Sequence, residues 1–171
     1  MPVLQSQSYV FDARPQYPFL ISVKRYWVQG FESTDPDAIT LVLAHATSLH
    51  KELWEPVLED LYTQAVVSPR AYSPLLKIRD AWAIDCPNHG ESAVLNEEIL
   101  LSSHTPICEY STCIYLWCFL SLNSYGWNTV SWEDYGRAID LILNGFGKGI
   151  DVDFQSRNLV GVGHSMGATA M

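Results

Sequence analysis

Basic residues are scarce in this sequence. Its 171 residues carry 10 lysines and arginines against 19 aspartates and glutamates, a formal charge of −9. That balance disfavours nucleic acid or an anionic membrane surface as a partner. Cysteine is also sparse: Cys86, Cys108, Cys113 and Cys118 form neither a CxxC pair nor a Cys/His spacing suited to a metal. They read as buried thiols in a reducing compartment, and nothing points to a metal or cofactor. No apolar run approaches the ~20 residues that a membrane-spanning helix needs; the longest, 113–120, has eight. The opening Met1-Pro2-Val3-Leu4-Gln5-Ser6 lacks the basic stretch and apolar core of a secretory signal. An intracellular, cytoplasmic location is therefore the default expectation. What is present, 48% hydrophobic and 17% charged residues, fits one folded globular domain with a real core.

The order of elements reads strand, helix, strand, helix, strand. Residues 8–11 and 19–29 read as two strands around the turn Arg14-Pro15-Gln16-Tyr17-Pro18. The second mixes β-branched and aromatic residues with polar ones, which suits an exposed or edge strand. Ile39-Thr40-Leu41-Val42-Leu43-Ala44 and Ala81-Trp82-Ala83-Ile84 are nearly unbroken apolar runs, the composition of strands buried on both faces of a parallel sheet. Between them Leu53, Trp54, Val57, Leu58 and Leu61 make a helical stripe, with Lys51, Glu52, Glu55, Glu59 and Asp60 elsewhere on the helix. Ser131-Trp132-Glu133-Asp134 can cap a later helix, whose buried face is Tyr135, Ala138, Ile139, Leu141 and Ile142, stopped by Asn144-Gly145. Residues 158–162 supply the last strand. The fold class is α/β, a mostly parallel sheet flanked by helices.

One stretch does not fit this scheme. Between Ser92 and Ser131 run 38 residues, against ~2–6 for an ordinary α/β connection. The segment 104–124 holds three of the four cysteines and the eight-residue apolar run. It reads as a lid or substrate-channel helix or, preferred on its abrupt change of composition, as a foreign insert such as a translated intron.

The chemistry gathers near residue 165. Leu159-Val160-Gly161-Val162 leads into Gly163-His164-Ser165-Met166-Gly167, a strand followed by Gly-x-Ser-x-Gly. The glycines let the chain reverse tightly around a serine whose hydroxyl stands clear of the backbone. A serine hydroxyl is a weak nucleophile at neutral pH and needs a base, a group orienting that base, and donors for the developing oxyanion. The turn exposes Ser165 and aims the Met166 N–H at the oxyanion's place. A second donor should come from the loop after an earlier strand, here His45-Ala46-Thr47-Ser48, with the Thr47 N–H as the choice.

Three blocks, Leu41-Val42-Leu43-Ala44-His45-Ala46, Asp85-Cys86-Pro87-Asn88-His89-Gly90-Glu91-Ser92 and Gly161 through the serine turn, follow successive strands. In order and placement the chain resembles the N-terminal part of an α/β-hydrolase of the serine-nucleophile type. His50-Lys51-Glu52-Leu53-Trp54-Glu55-Pro56 is further similar to a fungal subgroup of intracellular, often peroxisomal, lipase-like or toxin-biosynthesis hydrolases. The resemblance implies hydrolysis of an ester, thioester or related acyl bond of a small molecule through an acyl-serine. It also implies a triad running Ser, acid, His along the chain, and no acid or histidine of that kind follows Ser165 here. The expectation is a single partial α/β-hydrolase domain over 1–171, truncated after the nucleophile turn, with Ala46 where the family prefers glycine. The same resemblance implies a peroxisomal signal at the end of a longer form, and Thr169-Ala170-Met171 does not resemble one.

The five histidines offer no evident base. His164 adjoins Ser165 and points away at a sharp turn, His45 and His89 suit structural hydrogen bonding, and His50 suits a solvated or capping position. Asp85 suits ordering of its loop. A catalytically inactive fragment or pseudo-enzyme is therefore the alternative. A dinucleotide loop over Gly161, Gly163 and Gly167 fails, because its helix and distant acid do not follow.

Overall fold

The computed structural model describes residues 3–30, 33, 35–67, 77–102 and 130–171; the segment 104–124 lies outside them. Five strands, β1 (Leu4–Asp12), β2 (Leu20–Val28), β3 (Ile39–Ala44), β4 (Ile78–Ile84) and β5 (Asn158–Gly163), form one sheet in the order β1-β2-β4-β3-β5. The α-helices among the described residues are α1 (Glu55–Val67), α2 (Gly90–Leu95), α3 (Glu97–Ser102), α4 (Trp132–Leu143) and α5 (Met166–Ala170). β1 and β2 are an antiparallel pair and β2 lies antiparallel to β4, while β3 runs parallel to both β4 and β5. Ala44 registers with Ile84 on one side and with Gly163 on the other. The three parallel strands therefore end level, and the chain leaves them at Asp85, His45 and His164 along one edge. In open α/β sheets that edge is where ligands bind.

The core lies on both faces of the sheet because β3 alternates. Val42 and Ala44 face α4 (Trp132–Leu143), packing with Trp82, Ile84, Tyr135, Ile139 and Met166. Leu41 and Leu43 face α1 (Glu55–Val67), packing with Tyr26, Trp54, Leu58 and Tyr62. Each large apolar side chain buried fully contributes about 1.5–3 kcal/mol, so an apolar central strand is the strongest organiser here. The capping box expected at Ser131 is present: Ser131 Oγ accepts the Asp134 N–H at 3.1 Å, and Asp134 Oδ2 accepts the Ser131 N–H at 2.8 Å.

Three expectations are corrected. β2 is an interior strand between β1 and β4, because its polar side chains have partners. Lys24 Nζ lies 2.9 Å from Glu55, and Arg25 Nε lies 2.8 Å from the buried Asp80, which Arg157 also holds. Val57 is 52% exposed while Trp54, Leu58 and Tyr62 are buried. The buried positions Lys51, Trp54, Leu58 and Tyr62 follow three- and four-residue steps through the 3₁₀ turn Lys51–Trp54 and α1, and Val57 stands about 100° round the helix from Leu58, off that stripe. The same turn carries Lys51 inward, so its ammonium is fully buried.

Candidate active site

β5 hands directly to α5 (Met166–Ala170) through His164 and Ser165. Ser165 has φ 52° and ψ −114°, is exposed, and makes no capping bond with its side chain. Such a backbone costs a non-glycine residue of order 1–3 kcal/mol and persists only where its surroundings hold it. The surroundings here are close. His164 N–H donates to Ala44 O at 3.0 Å, and the Gly167 N–H donates to His164 O at 3.0 Å. A Cβ at 163 would strike the Ala168 backbone, and one at 167 would strike the Ala44 carbonyl. Only glycine lets the turn close this tightly against β3. Met166, the first residue of α5, is buried.

Beside it, the loop after β3 departs from the residue that registers with Gly163. Its backbone donors are mostly occupied. The His45 N–H donates to Tyr135 Oη at 3.1 Å, the Ser48 N–H to His89 Nε2 at 3.1 Å, and the Leu49 N–H to Ala46 O at 3.2 Å. Ala46 and Thr47 are the positions of 45–49 whose N–H groups have no acceptor among the described residues, and Thr47 is half-buried.

Beneath these loops sits a polar cluster. His45 is buried; its Nδ1–H donates to Ala46 O at 2.8 Å, and its Nε2 accepts the Cys86 N–H at 3.0 Å. Burial pushes its basicity down, which keeps the ring neutral as those bonds require. His89 is likewise neutral, with its pKa pushed down to about 4 by burial, the neighbouring His45 adding to the effect. Its Nδ1–H donates to Asn88 Oδ1 at 2.7 Å. Asp85 is fully buried and accepts the Lys51 N–H at 2.8 Å, the Lys51 ammonium at 2.9 Å and the Glu91 N–H at 3.0 Å. Burial opposes the charge on Lys51, but the hydrogen bonds to Glu91 and Asp85 outweigh it and raise its basicity. Gly90, at φ 54°, brings the next helix so near Asp85 that no Cβ fits. Tyr135 Oη donates to Ile84 O at 2.7 Å and accepts from His45, joining the ends of two strands. The Cys86 thiol is buried and pushed up to about 12 by burial, so it stays protonated.

The fold, the serine turn and the glycine contacts coincide with a family match: the sequence model of the alpha/beta hydrolase family covers residues 41–171. The chain belongs to the alpha/beta hydrolase family. A type I acyl-CoA thioesterase mpaH' of Penicillium brevicompactum is 29% identical over 147 residues, 86% of this chain and 25% of that protein. A type I acyl-CoA thioesterase mpaH of Penicillium roqueforti is 27% identical over the same shares. The chain thus spans about a quarter of the length of these curated relatives. Among solved structures, the peroxisomal alpha-beta-hydrolase Lpx1 of Saccharomyces cerevisiae superimposes with a TM-score of 0.52 at 20% identity, over 99% of this chain and 38% of that one.

As an alpha/beta hydrolase, the chain brings Ser165, Met166 and Thr47 to the same sheet edge from two adjacent strands. Among the described residues, both ring nitrogens of His45 and His89 are engaged, and His50, exposed, bonds Glu52 through Nδ1 at 2.8 Å; His164, exposed, adjoins Ser165 in the turn itself. No group of three or more His, Cys, Asp or Glu among the described residues is arranged to hold a metal, and no helix among them is long and apolar enough to cross a membrane. Sequence reasoning missed Lys51 and Tyr135 as parts of the site's support. The one signal for Tyr135 was a hydroxyl in an otherwise aliphatic helix face. Lys51 gave none, since its partner lies 34 positions away.

Proposed function

We propose that this alpha/beta hydrolase chain carries the nucleophile and oxyanion half of a serine-dependent acyl-transfer site. Ser165 attacks an ester or thioester carbonyl, and the Met166 and Thr47 N–H groups receive the oxyanion of the tetrahedral intermediate. The observation that carries this reading is the left-handed Ser165 backbone, wedged between β5 and α5 by glycines that tolerate no side chain. Strain of this kind collects at functional sites, and oxyanion donors are worth roughly 2.7–4 kcal/mol each in a transition state. The acyl-CoA thioesterase relatives support a thioester as the first substrate class to try. The general base and its acid belong, in this proposal, to the part of the relatives' length that the chain does not span. A longer product acts inside the cell, in the peroxisome, on the resemblance to the fungal subgroup.

The engaged ring nitrogens of His45 and His89 favour a second reading, in which the 171 residues by themselves bind or react at Ser165 without turnover. Release of CoA from a medium-chain acyl-CoA, compared between the chain and Ser165→Ala, separates the two. Serine-dependent turnover supports the hydrolase, whereas stoichiometric acylation without turnover supports the incomplete site. Identical release by both proteins removes Ser165 from either.

A further inference from the structure

The loop between β3 and α1 is fastened to the loop after β4 at two points. At its far end the Lys51 N–H and ammonium both bond Asp85. In its middle the Ser48 N–H donates to His89 Nε2 at 3.1 Å, and His89 is oriented in turn by Asn88 Oδ1 at 2.7 Å. Ser48 sits at φ 65°, a left-handed conformation disfavoured for any residue with a Cβ. A contact from outside the loop is needed to hold it there. With the His45 and Ser48 donors engaged, the Ala46 and Thr47 N–H groups between them have no acceptor among the described residues.

We propose that His89 is a positioning residue for acyl transfer: by accepting the Ser48 N–H it holds the 45–49 loop in the shape that leaves the Thr47 N–H unpaired beside the Ser165 turn. The inference rests on the acyl-transfer reading above. Its chemistry is specific to a neutral imidazole with the proton on Nδ1. An imidazolium has no acceptor, and its Nε2–H would oppose the Ser48 N–H. The groups around the ring are suited to that state. The His45 ring lies 5.2 Å away with its own nitrogens occupied, and the Cys86 thiol shares Asn88 Oδ1 at 3.2 Å. The Asp85 carboxylate, 3.8 Å from His45, is taken up by Lys51 and the Glu91 N–H. Burial holds His89 neutral down to about pH 4, so the fastening persists throughout the neutral range and opens on acidification.

The test uses the ¹⁵N-labelled 171-residue chain with two readouts, the amide exchange rate of Ser48 and the rate of fluorophosphonate labelling at Ser165 with imidazole added as the external base. His89→Phe keeps the ring volume and removes the acceptor. It should speed Ser48 exchange by about tenfold, the value of one hydrogen bond, and slow labelling by about tenfold or more through the displaced oxyanion donor. His89→Gln, which presents an acceptor oxygen, should restore most of both. Unchanged Ser48 exchange in His89→Phe overturns the contact, and faster exchange with unchanged labelling overturns the positioning role. If the parent chain is not labelled at Ser165 although its Ser48 exchange depends on residue 89, the acyl-transfer reading has failed and the positioning role falls with it. Should His89→Phe not fold, the parent decides: the Ser48 amide shift must follow the His89 imidazole ¹⁵N signals on acidification towards pH 4, and independent titration overturns the proposal.

Discussion

Replacing Lys51 by methionine keeps the aliphatic stem and deletes the ammonium. The side chains of Lys51 and Asp85 are both fully buried at 2.9 Å. Breaking one partner of such a pair strands the other charge, a loss of about 3–5 kcal/mol. Two features place this case at the lower end. Asp85 retains the Lys51 and Glu91 N–H donors at 2.8 and 3.0 Å, and of the ammonium's further partners, Glu52 at 3.3 Å and Glu91 at 2.9 Å, Glu91 is 62% exposed, so its share is about 0–1 kcal/mol. A loss of ~3 kcal/mol follows, which for a domain of this size lowers the melting temperature by roughly 6–12 °C. Urea denaturation and thermal melts at neutral pH measure it, with Asp85→Asn and the double variant completing a cycle. The double variant should lose much less than the sum of the singles, because residues in direct contact couple by about 0.5–3 kcal/mol. Loss of under ~1 kcal/mol in Lys51→Met, or strict additivity, would refute the assignment of a buried ion pair beneath the loops.

The glycines of the serine turn give a graded series. Gly167→Ala drives a Cβ into the Ala44 carbonyl and to 2.8 Å from His45 O; neither backbone group can step aside, so a cost of about 1–3 kcal/mol and a near-complete loss of Ser165 labelling are expected. Gly161→Ala meets only the flexible Met171 thioether at 2.7 Å and should retain labelling, with both read by the same fluorophosphonate assay. The buried histidines make stability depend on pH. The folded pKa of His45 is lowered and that of His89 falls to about 4, below the ordinary value of about 6.5. The unfolded chain thus binds protons first on acidification. Their contribution is complete above about pH 6.5 and is lost progressively towards pH 4, which urea midpoints across that window will show as a decline. His89→Gln should flatten it.

Much of this was legible in the chain. β3 and β4 stand out as unbroken apolar runs because both their faces are buried, and α4 announces itself through Ser131 and Asp134, two residues three positions apart that cap one another locally. The serine turn is legible because its residue pattern lies within five consecutive residues, although Ala44, against which it closes, is distant in sequence. What was not legible depends on partners distant in sequence. Lys24 and Arg25 made β2 look like an edge strand, since their carboxylates at Glu55 and Asp80 lie 31 and 55 positions away. Lys51 reads as a solvated helix residue until the fold brings Asp85 beneath it. Val57 was misplaced because a stripe centred on Leu53, Val57 and Leu61 and one centred on Trp54, Leu58 and Tyr62 differ by a single residue of rotation, and the fold buries the second. His89 was recognised as structural, but the backbone group it holds emerged only from the folded arrangement.

Intact-mass spectrometry after exposure to a fluorophosphonate, with imidazole added as the external base that Ser165 needs, tests the central claim most directly, since it reads whether Ser165 reacts without requiring turnover. The account predicts a single covalent adduct per chain, mapped to Ser165 and absent from Ser165→Ala. No adduct under conditions that modify a reference serine hydrolase, or equal modification of Ser165→Ala, would contradict it.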